Sequence, residues 1–153
     1  MKVNQLVLFT LGKETYALPI TDIKEIIRFQ RISRMPDIPD YIEGMINLRG
    51  KIITVINLGK LLDCQISSKL EDSMIIIEKN SGIGYIVDEV NEIRTVEEED
   101  IIPCVSVSGQ FGKTYVKNIA KIEGMVVPVI KADEMIGQGT GEMIGPVQAV
   151  KNC

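Results

Sequence analysis

The chain has 153 residues, 45% of them apolar and 25% charged, which is enough apolar surface for a packed domain and too much for a disordered chain. It contains no histidine, so histidine-dependent nucleophilic catalysis, histidine metal ligation and histidine pH switching all drop out. A net charge of −4, no Trp and only 5% aromatics argue against a phosphate-backbone or base-stacking surface, and no nucleic-acid partner is expected.

The sequence holds 25 Ile and 14 Val against 9 Leu. β-branched side chains pack well on a pleated surface and lose rotamer freedom in helices, so this bias predicts an all-β fold. The three cysteines, Cys64, Cys104 and Cys153, lie 40 and 49 residues apart and form no CxxC, which fits a reduced, cytoplasmic chain. The N-terminal residues lack the apolar core of a signal peptide, and no apolar run is long enough to insert into a membrane.

In chain order, Gln5 to Leu11 and Thr15 to Leu18 predict a hairpin with Gly12 in its turn, closed by Pro19. Ile23, Ile26 and Ile27 fall at i, i+3 and i+4, and Asp22 with Glu25 resembles a capping box, so the spacing predicts a short helix over 20–27. Ile32 to Met35 reads as a strand and Asp40 to Glu43 as one helical turn. Gly44 to Leu48 and Ile52 to Ile56 flank Arg49-Gly50-Lys51, the strongest hairpin signal in the chain. Leu58 to Leu62 reads as a helical turn.

Met74 to Ile77 and Ile83 to Val87 then form a second hairpin pattern around Asn80-Ser81-Gly82. Glu97 to Asp100 reads as a solvated acidic loop. Tyr115 to Ile122 and Met125 to Ile130 flank Glu123-Gly124 as a further hairpin, and Ala132 to Ile136 reads as a last helical turn. Four glycines between 137 and 145 mark 137–153 as a loosely held tail.

An internal repeat runs through these elements. Residues 22–26 echo 89–93 at an offset of 67, and residues 50–56 echo 124–130 at an offset of 74. Two similar β units follow, each too small to bury enough surface alone. Short strands with close-set turns favour small barrels. Residues 15–57 and 84–130 should therefore be related, with Ile52 to Ile56 and Val126 to Ile130 in equivalent positions.

Catalytic chemistry is not visible. Gly82-Ile83-Gly84 lacks the helix start and the Lys-Ser/Thr of a phosphate loop. The carboxylates of 97–100 are contiguous and solvated, whereas acid–base work needs two carboxyls in different environments. No basic residue flanks Cys64 or Cys104 closely, which fits small buried hydrophobes better than reactive thiolates.

Residues 35–62 carry a Pro-rich approach, then Tyr41-Ile42-Glu43-Gly44-Met45-Ile46-Asn47-Leu48-Arg49-Gly50, an aliphatic strand and a closing Asn57-Leu58 with Leu61-Leu62. This pattern resembles the CheW-like domain of bacterial chemotaxis coupling proteins. The resemblance extends upstream through 12–18 and 23–26 and downstream through 84–90, covering about 4–136 and leaving out 137–153. It implies a single domain, 1–136, of two intertwined five-stranded SH3-like barrels that share a core and change over near 65–75. It also implies no catalysis, no cofactor and no metal.

The resemblance further implies two partners. One is the cytoplasmic tips of methyl-accepting chemoreceptors, and the other is the regulatory domain of the histidine kinase CheA, which has the same fold. On the receptor side it points to Ile23, Glu25, Gly44 and Arg49. Arg49 sits in a turn, from which its guanidinium can reach a partner carboxylate, although a local ion pair would also satisfy it. Gly44 reads as a backbone requirement of either the fold or the contact surface. On the kinase side the candidates are Ile101, Ile102, Val105 and Val107, which could equally be strand core. The pattern leaves open a CheW-like module for a different histidine kinase or receptor. A small carboxylate-dependent enzyme is the distant alternative.

Overall fold

Strands make up nearly all the regular structure, in line with the isoleucine and valine excess. The computed structural model describes residues 3–62, 64, 66–103 and 116–130. The first series of strands is β1 Val3–Leu11, β2 Glu14–Pro19, β3 Ile23–Arg28, β4 Ile42–Leu48 and β5 Lys51–Asn57, followed by a single-turn helix, α1, at Leu58–Leu61. The second series is β6 Met74–Glu78, β7 Ile83–Val87, β8 Glu89–Glu97, β9 Ile101–Pro103, β10 Val116–Ile122 and β11 Met125–Ile130.

These strands form two sheets, ordered β8-β1-β2-β11-β10-β9 and β3-β6-β7-β5-β4. The orders match strand for strand: β8 stands where β3 does, β1 where β6 does, β2 where β7 does, and β11 and β10 where β5 and β4 do. Each sheet thus combines strands from both series. The described residues divide into two compact units. The first holds those up to Leu8, Thr15–Ile20 and those from Asn91 onward; the second holds Phe9–Glu14 and Thr21–Val90, so the stretch 65–75 lies inside the second.

The repeat is preserved to the residue. In the β4–β5 hairpin Ile42 pairs with Ile56 and Gly44 with Val55; in the β10–β11 hairpin Val116 pairs with Ile130 and Asn118 with Val129. Every one of these positions is offset by 74. Both hairpins carry a one-residue bulge at the same place, between Ile42 and Gly44 and between Val116 and Asn118. The parallel pairs agree too: Val55 faces Gly84 in one sheet and Val129 faces Ala17 in the other, the second partner following the offset of 67. Ile52 to Ile56 and Val126 to Ile130 are therefore equivalent strand segments.

Each unit has its own aliphatic centre. Leu6, Leu8, Ala17, Val96, Ala120, Ile122, Val127 and Val129 pack together in the first. Ile46, Leu48, Ile53, Val55, Ile75, Ile77 and Ile86 do so in the second. Burial of a Val or Ile side chain contributes about 1.5–3 kcal/mol, so these centres dominate stability.

Three local expectations are corrected. Residues 20–27 are not a helix: a 3-10 turn at Ile20–Asp22 leads into strand β3. A bulge between Ile23 and Glu25 in the β3–β6 ladder adds one residue and breaks the two-residue alternation. The isoleucines then fall at spacings that imitate a helical face. Residues 40–43 are not a helical turn, since β4 begins at Ile42. Residues 32–35 form no strand, only an isolated bridge between Ser33 and Met45.

That bridge explains the unequal strand counts. Met45 pairs with Ser33, and its equivalent, Ile119, pairs with Ile102 of β9. β9 is the longer version of the same edge contact. The expected hairpins at 5–18, 44–56 and 74–87 and the turn at Leu58 are present. The expected turn at Ala132–Ile136, the tail 137–153, Cys104 and Cys153 lie outside the described residues.

Candidate functional site

The β4–β5 turn begins with Leu48 and Lys51, the last pair of the ladder. Between them the backbone takes positive φ at two residues, +50° at Arg49 and +88° at Gly50. Two consecutive positive φ values suit the strand twist of a two-residue hairpin. Gly50 supplies one at no steric cost, and Arg49 bears the strain of the other. Asn47 Oδ1 accepts the Gly50 N–H at 2.9 Å and steadies the loop.

This geometry turns Arg49 outward, with 68% of its side chain exposed, and its guanidinium donates to Glu25 Oε2 of β3. β3 and β4 are the two edges of their sheet, so the ion pair spans those edges at the tip of the unit. Ile23 and Ile26, on the same strand as Glu25, are half-buried. The structure therefore brings Glu25 and Arg49 into direct contact.

Gly44 has a different task. It is buried on β4 with φ +146°, and a Cβ there would lie 2.2 Å from the Ser33 carbonyl oxygen. Ser33 and Met45 exchange two backbone hydrogen bonds, at 2.8 and 2.9 Å, and close the sheet edge against the chain that follows β3. Gly44 permits that approach.

The first unit repeats the tip with its charges reversed. The β10–β11 turn has φ +48° at Glu123 and +79° at Gly124. Glu123 accepts from Arg94 of β8 at 2.7 Å, and Arg94 also donates to Glu92 at 3.3 Å. The two carboxylates hold the Arg94 guanidinium more firmly protonated than usual. An acid replaces Arg49 in the turn, and a base joins the acid on the facing strand.

Two further clusters escaped the sequence. The bulge in β4 turns Glu43 inward, where it is buried and accepts from Asn57 Nδ2 at 2.9 Å. Arg34 and Lys60 lie 3.5 and 3.6 Å from its carboxylate oxygens, and Asn57 Oδ1 also caps α1 by accepting the Lys60 N–H. No sequence signal marks a bulge, so the sequence places Glu43 only within a helical turn over 40–43.

Asp88 is the second. Its carboxylate accepts the backbone N–H groups of Gly12 at 2.6 Å, Ser68 at 2.6 Å and Ser67 at 3.1 Å. Burial pushes its pKa up, but the hydrogen bonds from Ser68, Gly12 and Ser67 outweigh this and hold it below the ordinary carboxylate value. Asp88 pins the β1–β2 turn and the 67–68 segment at the point where β7 gives way to β8.

On the kinase side, Ile101 and Ile102 are half-buried on β9, and Ile101 packs on the aliphatic centre of the first unit. Val105 and Val107 lie outside the described residues. Cys64 is half-buried. Among the described residues no cluster of His, Cys, Asp and Glu could hold a metal ion, and no helix is long and apolar enough to cross a membrane.

Each hairpin tip carries an ion pair to a facing strand. The chain is 29% identical over 148 residues to the chemotaxis protein CheW of Bacillus subtilis, covering 95% of each. It is 33% identical over 123 residues to the chemotaxis protein CheW of Treponema pallidum, covering 76% of this chain and 72% of that one. The crystal structure of the scaffolding protein TtCheW from Thermoanaerobacter tengcongensis superposes with a TM-score of 0.77 at 38% identity, over 85% of this chain and 90% of that chain. With residues 5–140 matching the CheW-like domain, the chain belongs to the CheW-like family.

Proposed function

We propose that this protein is a non-catalytic chemotaxis adaptor that couples the cytoplasmic tips of chemoreceptors to the histidine kinase CheA. In this reading it works in the cytoplasm and is recruited to receptor arrays at the membrane. The observation that carries the reading is the tip of the second unit, where a strained turn presents Arg49 outward and Glu25 fixes its guanidinium. A receptor helix would meet a pre-positioned fork of donors rather than a free side chain, which lowers the entropy lost on binding.

Ile23, Glu25 and Arg49 form the receptor face, and Gly44 serves it by closing the edge behind. The kinase contact is assigned to the first unit, at Ile101 and Ile102 on the edge strand β9 and at Val105 and Val107 beyond it. An edge strand with half-buried aliphatics is a natural surface for a partner of the same fold. The test is a titration of the intact chain against a receptor-tip fragment and, separately, against the CheA regulatory domain, with an unrelated kinase domain as control. Saturable binding to both supports the adaptor role. Binding only to the unrelated kinase moves the protein to a different signalling system.

A further inference from the structure

The segment that joins β3 to β4 is held to its unit by few contacts. None of residues 30–40 is buried: Ile32 and Ile38 are half-buried and the others are exposed. Two backbone hydrogen bonds tie the segment sideways to its sheet, both between Ser33 and Met45. Pro36 and Pro39 have no N–H to offer a neighbouring strand, so the pairing cannot spread along the segment. The first unit carries a fuller version of this edge. There Ile102 pairs with Ile119, the equivalent of Met45, and the ladder continues on both sides through Ile101 and Pro103. Ile101 and Ile32 each pack on the aliphatic centre of their own unit, so residues 32–34 take the place of β9 without forming its ladder.

Beneath the segment lies a cavity of about 170 Å³, lined by Arg34, Ile38 and Asp40 of the segment and by Ile42, Glu43 and Lys60 of β4 and α1. Across such a gap few atoms are in contact, and dispersion holds it weakly. What crosses it is charge. Arg34 stands 3.5 Å from Glu43, and Lys60 stands 3.6 Å from both Glu43 and Asp40. Exposure across the first pair is uneven, at 75% for the Arg34 side chain and 5% for that of Glu43. Asn57 and Lys60 stay with Glu43 when Arg34 leaves, so the open form keeps a supported carboxylate while losing one of its two cations.

We propose that residues 30–40 are a hinged strap, latched by Arg34 on Glu43, that opens as a unit while the sheet beneath it stays folded. Its hinges are the Phe29 N–H donated to the Ser73 carbonyl at 3.2 Å and the Tyr41 carbonyl that accepts the Asn57 N–H at 2.7 Å. Opening breaks the two Ser33–Met45 bonds and uncovers two half-buried side chains, and it leaves the aliphatic centre intact. It frees the Met45 N–H and C=O on the outer edge of β4. The device belongs to the second unit alone: the position equivalent to Glu43 at the offset of 74 is Lys117, which cannot latch a cation.

The experiment is amide hydrogen exchange, followed residue by residue by NMR on the full chain in low, sub-denaturing urea, with no partner present. Ser33 and Met45 report the strap, and Thr54, whose N–H donates to the Gly82 carbonyl at 2.8 Å, reports the sheet. After correction for intrinsic rates, Ser33 and Met45 should exchange alike and at least about tenfold faster than Thr54. Their rates should barely respond to urea, because little surface is exposed, while that of Thr54 should rise steeply. Arg34→Gln should speed Ser33 and Met45 roughly fivefold or more, and Arg34→Lys, which keeps the charge, should speed them less. Ile86→Val loosens the aliphatic centre, which the open strap leaves in place. It should speed Thr54 and leave Ser33 and Met45 unchanged.

Exchange of Ser33 and Met45 at the rate of Thr54, with the same urea dependence, would mean that the strap leaves only when the unit unfolds, and overturns the proposal. So does an Arg34→Gln variant whose Ser33 and Met45 rates do not change, or an Ile86→Val variant that speeds all three amides equally.

Discussion

The two hairpins, β4–β5 and β10–β11, are the same structure built twice, and what separates them is the chain that packs against their outer edge. In the second unit that chain forms a backbone bridge at a single residue, Ser33, and comes so close that position 44 must be glycine. In the first unit the equivalent position is Asn118, and β9 pairs there in an ordinary ladder, with Pro103 opposite Asn118. A duplicated backbone thus tolerates different side chains wherever its neighbour retreats. The same holds at the tips, where both turns keep two positive φ values while Arg49 and Glu123 exchange charge. Backbone geometry is shared, and surface chemistry diverges.

The largest expected effect tests the edge contact. Gly44→Ala should destabilise the chain by about 3 kcal/mol or more, or prevent folding, because its Cβ meets backbone at 2.2 Å and φ is +146°. Gly124→Ala has open space and suffers only its φ of +79°, so its cost should stay near 1–2 kcal/mol. Denaturant unfolding of both variants compares them directly. Equal losses would mean that the approach of Ser33 does not matter.

Next comes Asp88, which has no counterpart of its kind among the tips. Asp88→Ala leaves three backbone N–H groups without their acceptor and should cost about 2–3 kcal/mol. Its pKa is lowered in the folded chain, so the stabilisation it gives is complete above the unfolded carboxylate value of about 3.9. That contribution is lost as the pH falls through the lower, folded value. Denaturant midpoints measured from neutral pH into this acid window should fall more steeply for the unsubstituted chain than for Asp88→Asn, which cannot titrate. Parallel curves would remove Asp88 from the acid response.

The smallest effects belong to the exposed tips. Glu25→Gln should cost less than about 1 kcal/mol, as exposed ion pairs do. Ile52→Ser and Val126→Ser should each change stability by no more than about 0.5 kcal/mol, since both side chains are more than half exposed. A larger loss at one of the two positions would show that the equivalence of the strands ends at their backbones.

Much of this comparison was legible in the sequence. Glycine after the turn, aliphatic runs on either side and the offsets of 67 and 74 were enough to pair the strands and relate the halves, because burial on two faces demands β-branched side chains in both copies. Arg49 was legible as a turn residue and Glu25 as a candidate beside it, though not their ion pair, which depends on two strands far apart in sequence meeting at the sheet edges. β3 was misread because one bulged residue shifts the alternation by one and simulates helical spacing. Glu43 was missed for the same reason on β4. The charge reversal at Glu123 was available from the offset of 74, but Arg94 gave no sign of its partner, since the contact is made only after folding.

The central claim is that the Arg49 tip is a binding surface built on a fold that does not need it. Arg49→Glu tests this most directly when receptor-tip affinity and thermal unfolding are measured on the same preparation. A lost charge-assisted contact at an interface is worth about 2 kcal/mol or more, so affinity should fall roughly thirtyfold. The melting temperature should stay close to that of the unsubstituted chain, because the side chain is 68% exposed. A melting temperature lowered by many degrees, or receptor affinity left unchanged, would make Arg49 a structural clasp and contradict the account.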